Sequence, residues 1–399
     1  MKKFIILAAA AIMAVAACAK VEPTGKDVDT PIQFSVINHL QQTKATEGLT
    51  YPTDVPFGTF AWWTASALGN NAVDQTNVFM DNQEVKYFEA SGENAAKWAP
   101  STTYYWTKSG YLTFASYSPY VSATNLEKGF SAVPSYDVTK GFLFENYTIV
   151  SATNVDLMYA NLAKDCTQNT NANGADVTND SNPEGGFKGV PTIFNHALCR
   201  IGFSFRAAGT LNPNVTAIQV DVKSVEIKNI DKKGSFTQIP ATSGAARWSS
   251  THAAANYTDY TYLAATETPI NLVLAANPSY TALNVRKILL PQTLVNSGVN
   301  DAIATTTDQV LELNYIIKTH YSSNTETDPT KAAYWATEDI TSRVRLNNGT
   351  IAAWADNQNI TYKITINPYD STPITFDPAV VNWDSSVDTG EIIVTPNAN

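Results

Sequence analysis

The segment Ile32-Gln-Phe-Ser-Val36 alternates apolar and polar side chains with a period of two. Successive side chains of a strand point to opposite faces, so such a segment buries one face and wets the other. Further strand signals lie at Tyr111–Tyr117, Ile201–Phe205, Ile218–Val222, Val225–Ile230, Leu311–Tyr315 and Tyr362–Ile366. Turn-forming residues separate these runs. Few windows keep a helical period over three turns, and only residues 194–201 suit a short helix. The prediction is an all-β (mostly β) fold built as sandwiches. The chain has 399 residues, enough for two ordinary domains. Between Phe203 and Pro213 the sequence passes from strand into a Gly- and Pro-containing loop, which places a boundary near Ala208. Hydrophobic residues at 44% against charged residues at 16%, with 19 Tyr, fit a core-forming β-rich chain.

The amino terminus predicts export. Lys2 and Lys3 precede a run of apolar and small residues, Phe4 to Ala17, too short to span a bilayer. The run ends in Val15-Ala-Ala-Cys18, small residues ahead of a cysteine, which is the pattern of a lipobox. The expectation is a signal peptide over residues 1–17 and a diacylglycerol on the Cys18 thiol. The alternative is a plain signal peptide with an incidental cysteine. Residues 19–30 read as a polar tether to the first strand. After that strand, His39 to Gly48 is polar with one basic residue, Lys44.

The formal net charge is −10, and loss of Lys2 and Lys3 with the signal peptide makes it −12. No basic face for nucleic acid is visible. Beyond Cys18 the cysteines are Cys166, in a polar stretch, and Cys199, in an apolar run; pairing stays open, with two free thiols preferred. His39, His196, His252 and His320 lack zinc spacing, and no Gly-x-Ser-x-Gly nucleophile elbow occurs. Asp176, Asn179 and Asp180, in the polar stretch 165–187, lack the order of an EF-hand. Asp156, Asp377 and Asp384 lie beside aromatics, where turn and strand-end roles explain them as well as acid–base work. Trp62, Trp63, Trp98, Trp106, Trp335, Trp354 and Trp383 offer material for a sugar-stacking platform, against which stands ordinary core packing. The expectation is a non-enzyme with no cofactor and no metal.

Several phrases taken together resemble a known family. They are Thr43-Lys-Ala-Thr46, Pro56-Phe-Gly-Thr-Phe-Ala-Trp62, Trp98-Ala-Pro100, Tyr104-Tyr-Trp106 and Leu112-Thr-Phe-Ala-Ser-Tyr-Ser-Pro119. Asp156-Leu-Met-Tyr-Ala160, Phe194-Asn-His-Ala-Leu-Cys-Arg-Ile201 and Thr375-Phe-Asp-Pro-Ala-Val-Val-Asn-Trp383 follow in the same order. In number and order they resemble the FimA-like fimbrillins, subunits of type V pili of Gram-negative anaerobes.

The resemblance implies two transthyretin-like β-sandwich domains in tandem, spanning residues 45–208 and 209–399. It implies export as an outer-membrane lipoprotein with a propeptide over residues 18–44. A trypsin-like protease then cuts the loop after the first strand, here at Lys44–Ala45. Loss of Ile32, Phe34 and Val36 opens a groove, which a terminal strand of another subunit refills. The donor candidate is 391–396, with Ile392 and Val394 on one face and Ile393 on the other. The sequence departs from the family at the cut: processing in well-known members follows an arginine, and no Arg precedes Arg200. Lys44 read alone is an ordinary solvated loop residue.

The expected function is therefore a pilus subunit, most plainly of the stalk. The alternatives are an anchor or tip subunit of the same pilus, or a surface-anchored glycan-binding lipoprotein. Expected partners are other pilin subunits, the processing protease, the outer membrane through the lipid, and a host or bacterial surface ligand. Nucleic acid is not among them.

Overall fold

The computed structural model describes residues 30–38, 51–92, 94–150, 155–168, 189–276, 278–295, 303, 306–347, 349–369 and 374–383. Within them the fold is all-β, and helix is limited to the single 3-10 turns Ala254–Asn256 and Ala332–Tyr334. The runs named above lie in strands, apart from Ile32 and Gln33, which precede Phe34–Asn38, and along Leu311–Tyr315 and Tyr362–Ile366 burial follows the alternation. Along Val190–His196 buried and half-buried side chains alternate without a break. Ile218–Val222 and Val225–Ile230 fuse into one strand, Val215–Asp231, whose pairing with Val310–Tyr321 shifts register between Val222 and Ser224. A bulge there lets one long strand bend through two neighbourhoods.

The first assembly is a ring. Its hydrogen-bonded order is Phe57–Thr64, Val78–Phe88, Lys97–Pro100, Phe34–Asn38, Val190–His196, Met158–Ala160 and Tyr111–Ser118. Phe57–Thr64 pairs in turn with Tyr111–Ser118 over seven positions, which closes the circuit. The short strand Ala163–Cys166 hangs from Tyr111–Ser118. Closure pairs edges that would otherwise invite other chains, but between Phe34–Asn38 and Lys97–Pro100 the pairing is a single residue pair.

The second assembly joins two five-stranded sheets over a shared core. One holds Thr281–Ala282, Cys199–Ala207, Gln358–Ile366 and Ile374–Asn382, with Lys287–Leu289 also on Cys199–Ala207. The other holds Tyr257–Leu263, Val215–Asp231, Val310–Tyr321 and Ala336–Arg345, with Ile270–Val273 also on Val215–Asp231. Phe203 of the first sheet meets Tyr262 of the second edge to face, ring centroids 4.7 Å apart. Cys199–Ala207, just ahead of residue 208, thus packs with the second assembly. A four-stranded sheet links the assemblies: Gly141–Thr148 lies between Ser135–Asp137 and Lys233–Thr237, and Trp248–Ser250 completes it.

The two cores meet without a linker because wall strands serve both. Leu112 and Phe114 of Tyr111–Ser118 lie in the first core, while Ala115 and Tyr117 lie in the second. Phe57 and Ala61 divide from Trp62 in the same way. The helix expected within 194–201 does not form. His196 ends one strand and Cys199 begins the next, so the chain passes from one core to the other across Ala197 and Leu198. Cys166, expected in a polar loop, ends the strand Ala163–Cys166 instead. Cys166 and Cys199 are both buried, one in each core, and no disulfide joins them.

Candidate functional site

The strand Phe34–Asn38 runs parallel to Val190–His196 with five partnered positions, from Phe34 opposite Val190 to Asn38 opposite Phe194. Gly189 lets the chains approach: its φ is +153°, and a Cβ there would meet the Gln33 carbonyl. On its other side the strand touches Lys97–Pro100 through a single pair, Phe34 opposite Trp98. Just upstream, the Ile32 amide donates to the Tyr104 carbonyl at 2.8 Å and the Trp106 amide to the Thr30 carbonyl at 3.0 Å. From Ser35 to Asn38 that side has no ladder partner among the described residues.

A lightly tied strand nevertheless fills the centre of the first core. Ile32 is 1% exposed and Phe34 is 4% exposed. The Phe34 ring meets Phe57 and Phe114 edge to face, at 5.5 and 5.7 Å between centroids. Val36 is half-buried against the same core. Two fully buried side chains of this size hold about 3–6 kcal/mol of apolar burial. Of the three residues expected to form the removable strand, Ile32 and Phe34 are its anchors and Val36 is secondary.

The equivalent place in the second assembly is built differently. Cys199–Ala207 also runs parallel to a later strand, Gln358–Ile366, but over eight positions. Its opposite edge is covered by Thr281–Ala282 and Lys287–Leu289. Each assembly begins with a strand laid parallel to a late one, and only the first leaves that strand thinly held.

Where the chain resumes after residue 50, Tyr51 is locked in the first core. Its ring stacks on Phe194, with centroids 4.9 Å apart, and its hydroxyl shares a 2.7 Å hydrogen bond with Ser118. Burial pushes its phenol pKa well above the ordinary value. The downstream end of the connection from the first strand is thus fixed to the body, whatever becomes of the strand itself. Cys18, Lys44, Ala45, Ile392, Ile393, Val394, Asp176, Asn179, Asp180, His39 and Asp384 lie outside the described residues.

Three residues from separate sequence phrases converge where the assemblies join. His196 stacks flat on Trp383, centroids 4.2 Å apart and planes 6° apart. His196 Nδ1 lies 2.7 Å from Asp156 Oδ2. Beside them Arg247 donates to Asp356 at 2.6 Å and to the Tyr159 hydroxyl at 2.8 Å. Trp383 directly follows the strand Ile374–Asn382, and the stack ties that end of the strand to His196 at the end of Val190–His196. The sequence held a signal for it, since Asp156, His196 and Trp383 each sit in a quoted phrase, but nothing in the phrases says that they touch. Asp156→Ala is expected to lower stability by about 2 kcal/mol, the scale of a charge-assisted hydrogen bond. Asp156→Asn, whose amide oxygen still accepts from the ring N–H, is expected to lose less. Urea unfolding of the two variants checks the order.

Other expected site types have other surroundings. Trp62, Trp98, Trp106, Trp354 and Trp383 are buried, which leaves Trp63 and Trp335 half-buried as surface tryptophans among the seven considered. The Trp335 indole N–H is tied to the Pro329 carbonyl and that of Trp63 to the Ser109 carbonyl. His252 bonds Asp231 and the Thr307 carbonyl, and His320 stacks on Tyr334. Asp377 pairs in register with Lys363 in the last described strand. Among the described residues no group of three His, Cys, Asp or Glu could hold a metal ion. No helix there is long and apolar enough to cross a membrane.

Comparison with known proteins adds a family. A fimbrial protein from Bacteroides vulgatus is 20% identical, with a TM-score of 0.50, over 88% of this chain and 99% of its own. A Parabacteroides distasonis protein assigned to cell adhesion is 12% identical, with a TM-score of 0.44, over 83% of this chain and 95% of its own. The tip fimbrial protein of Porphyromonas gingivalis, with C-terminal truncation, is 9% identical, with a TM-score of 0.28, over 82% and 94%. At such identities the first likeness speaks for the fold alone and the other two carry no argument. No curated protein matches the sequence significantly. A family model described as fimbrillin-like matches residues 43–383. That span takes in most of the sequence and both assemblies, and the chain belongs to the fimbrillin-like family.

Proposed function

We propose that the protein is a structural subunit of a cell-surface fimbria, placed in the stalk and assembled by strand exchange after proteolysis. The observation that carries this reading is the mismatch at the first strand. Ile32 and Phe34 are central to a core, yet past Phe34 the strand Phe34–Asn38 is paired along one edge only among the described residues. A segment so placed is a plug: its loss empties a groove and frees main-chain groups that another strand can pair.

The organisation we propose follows from that. Residues 1–17 are a signal peptide and Cys18 carries lipid that delivers the precursor to the outer membrane. A trypsin-like protease cuts Lys44–Ala45, and residues 18–44 leave with the plug. The body, 45–208 and 209–399, then receives residues 391–396 of the next subunit. Such a contact is head-to-tail and does not close on itself, so it propagates as a fibre.

The amino-terminal sequence of the protein taken from the cell surface tests the reading. A start at Ala45 is the expected result. An acylated Cys18 on every surface copy would instead make the protein a resident lipoprotein or an anchor.

A further inference from the structure

Beside the plug lies a cleft of about 450 Å³. Its most buried lining residues are Phe34 and Trp98, the one pair that joins Phe34–Asn38 to Lys97–Pro100. Past that pair the two segments part. Phe34–Asn38 stays with Val190–His196, while Lys97 pairs with Phe88. Val36 and Tyr87 line the gap, half-buried, and Ala96 and Lys97 border it. The cleft therefore runs along Ser35 and Val36, where the strand has no ladder partner on this side among the described residues.

We propose that this cleft is an entry site for residues 391–396 of a second copy. The incoming segment docks as an added strand on the open edge of Ser35–Asn38 before the resident strand has left. The inference rests on the strand-exchange reading above and adds the order of events to it. Two observations favour this occupant. In Glu391-Ile-Ile-Val-Thr the two-residue period of a strand sets Ile392 and Val394 on one face and Ile393 on the other, so one face offers Ile392 and Val394 to the apolar lining while the main chain pairs. The chain from residue 384 onward carries Asp384, Asp388 and Glu391 and no Lys or Arg. Lys97, at the cleft, has no ion-pair partner among the described residues. Docking first also avoids a costly intermediate. If the plug left alone, the pockets of Ile32 and Phe34 would face water before any replacement arrived. With a strand already alongside, replacement proceeds residue by residue.

The test uses the chain from residue 19, with a specific protease site placed within residues 39–50 and cut beforehand. The probe is a synthetic peptide of residues 388–399, and the readout is release of the severed amino-terminal fragment. Release is expected to rise in proportion to peptide concentration. Ala96→Trp, at an exposed position bordering the cleft, is expected to lower that slope about tenfold, with a thermal melt verifying that the body is folded. Lys97→Glu is expected to lower it at low salt and less at high salt. Release at a single rate, whatever the peptide concentration and equal to that without peptide, overturns the entry site but leaves strand exchange standing. Peptide uptake neither by the cut chain nor by a chain folded without residues 1–44 overturns both.

Discussion

A chain cut after residue 44 but lacking residues 391–399 is expected to stay monomeric, whereas the full-length cut chain forms ladders on unboiled gels. Register sets the expectation. The plug sets its anchors two residues apart, at Ile32 and Phe34, both on the face turned to the core. The tail repeats that spacing at Ile392 and Val394. A strand with period two must match this spacing, since a slip of one residue turns every anchor outward. At ~1.5–3 kcal/mol for each buried side chain, two anchors contribute roughly 3–6 kcal/mol. That corresponds to ~10²- to 10⁴-fold in affinity before any ladder hydrogen bond is counted. Moving the alternation by inserting one residue ahead of Ile392 would leave composition and charge nearly unchanged. It is expected to cost as much as the deletion only if the insertion cannot be looped out, so the deletion is the cleaner test. Polymers formed by the truncated chain would place the donor elsewhere.

The strands were legible because their burial is one-sided and simple. Leu311–Tyr315 and Tyr362–Ile366 alternate in sequence and alternate again in burial, and Ile32–Val36 does so as far as Phe34. Strands buried on both faces were harder to interpret. Tyr111–Ser118 sends Leu112 and Phe114 one way and Ala115 and Tyr117 the other, so alternation of apolar and polar residues no longer marks its faces. Closure of the first assembly into a ring depends on such strands, and no local pattern encodes it. The misreading of 194–201 has a related cause. His196 and Cys199 are both buried, three positions apart, which is a helical spacing; the structure achieves it by turning the chain from one core into the other. At the candidate site the alternation of Ile32–Val36 could be read from the sequence, but the weakness of the strand's attachment could not. It comes from Lys97–Pro100 meeting Phe34 and then turning away, a relation between segments some sixty residues apart.

Phe34→Ala is expected to destabilise the uncut precursor by about 3–5 kcal/mol, the range for emptying a well-packed aromatic site. The ring is 4% exposed and loses two edge-to-face partners, Phe57 and Phe114. Val36→Ala, at a half-buried position on the same face, is expected to cost markedly less. The distinctive expectation concerns the product. If residues 18–44 leave the body, the assembled subunit contains no residue 34, and polymers from variant and parent are the same molecule. Their thermal stability should then be identical, although the precursors differ by many degrees. The weakened plug should also yield sooner, so polymer appears faster after cutting. Heat unfolding of purified precursor and of purified polymer, for parent and variant, separates the cases. A deficit that persists in the polymer would mean that Phe34 never leaves the core. The first strand would then be a permanent wall of the ring rather than a plug.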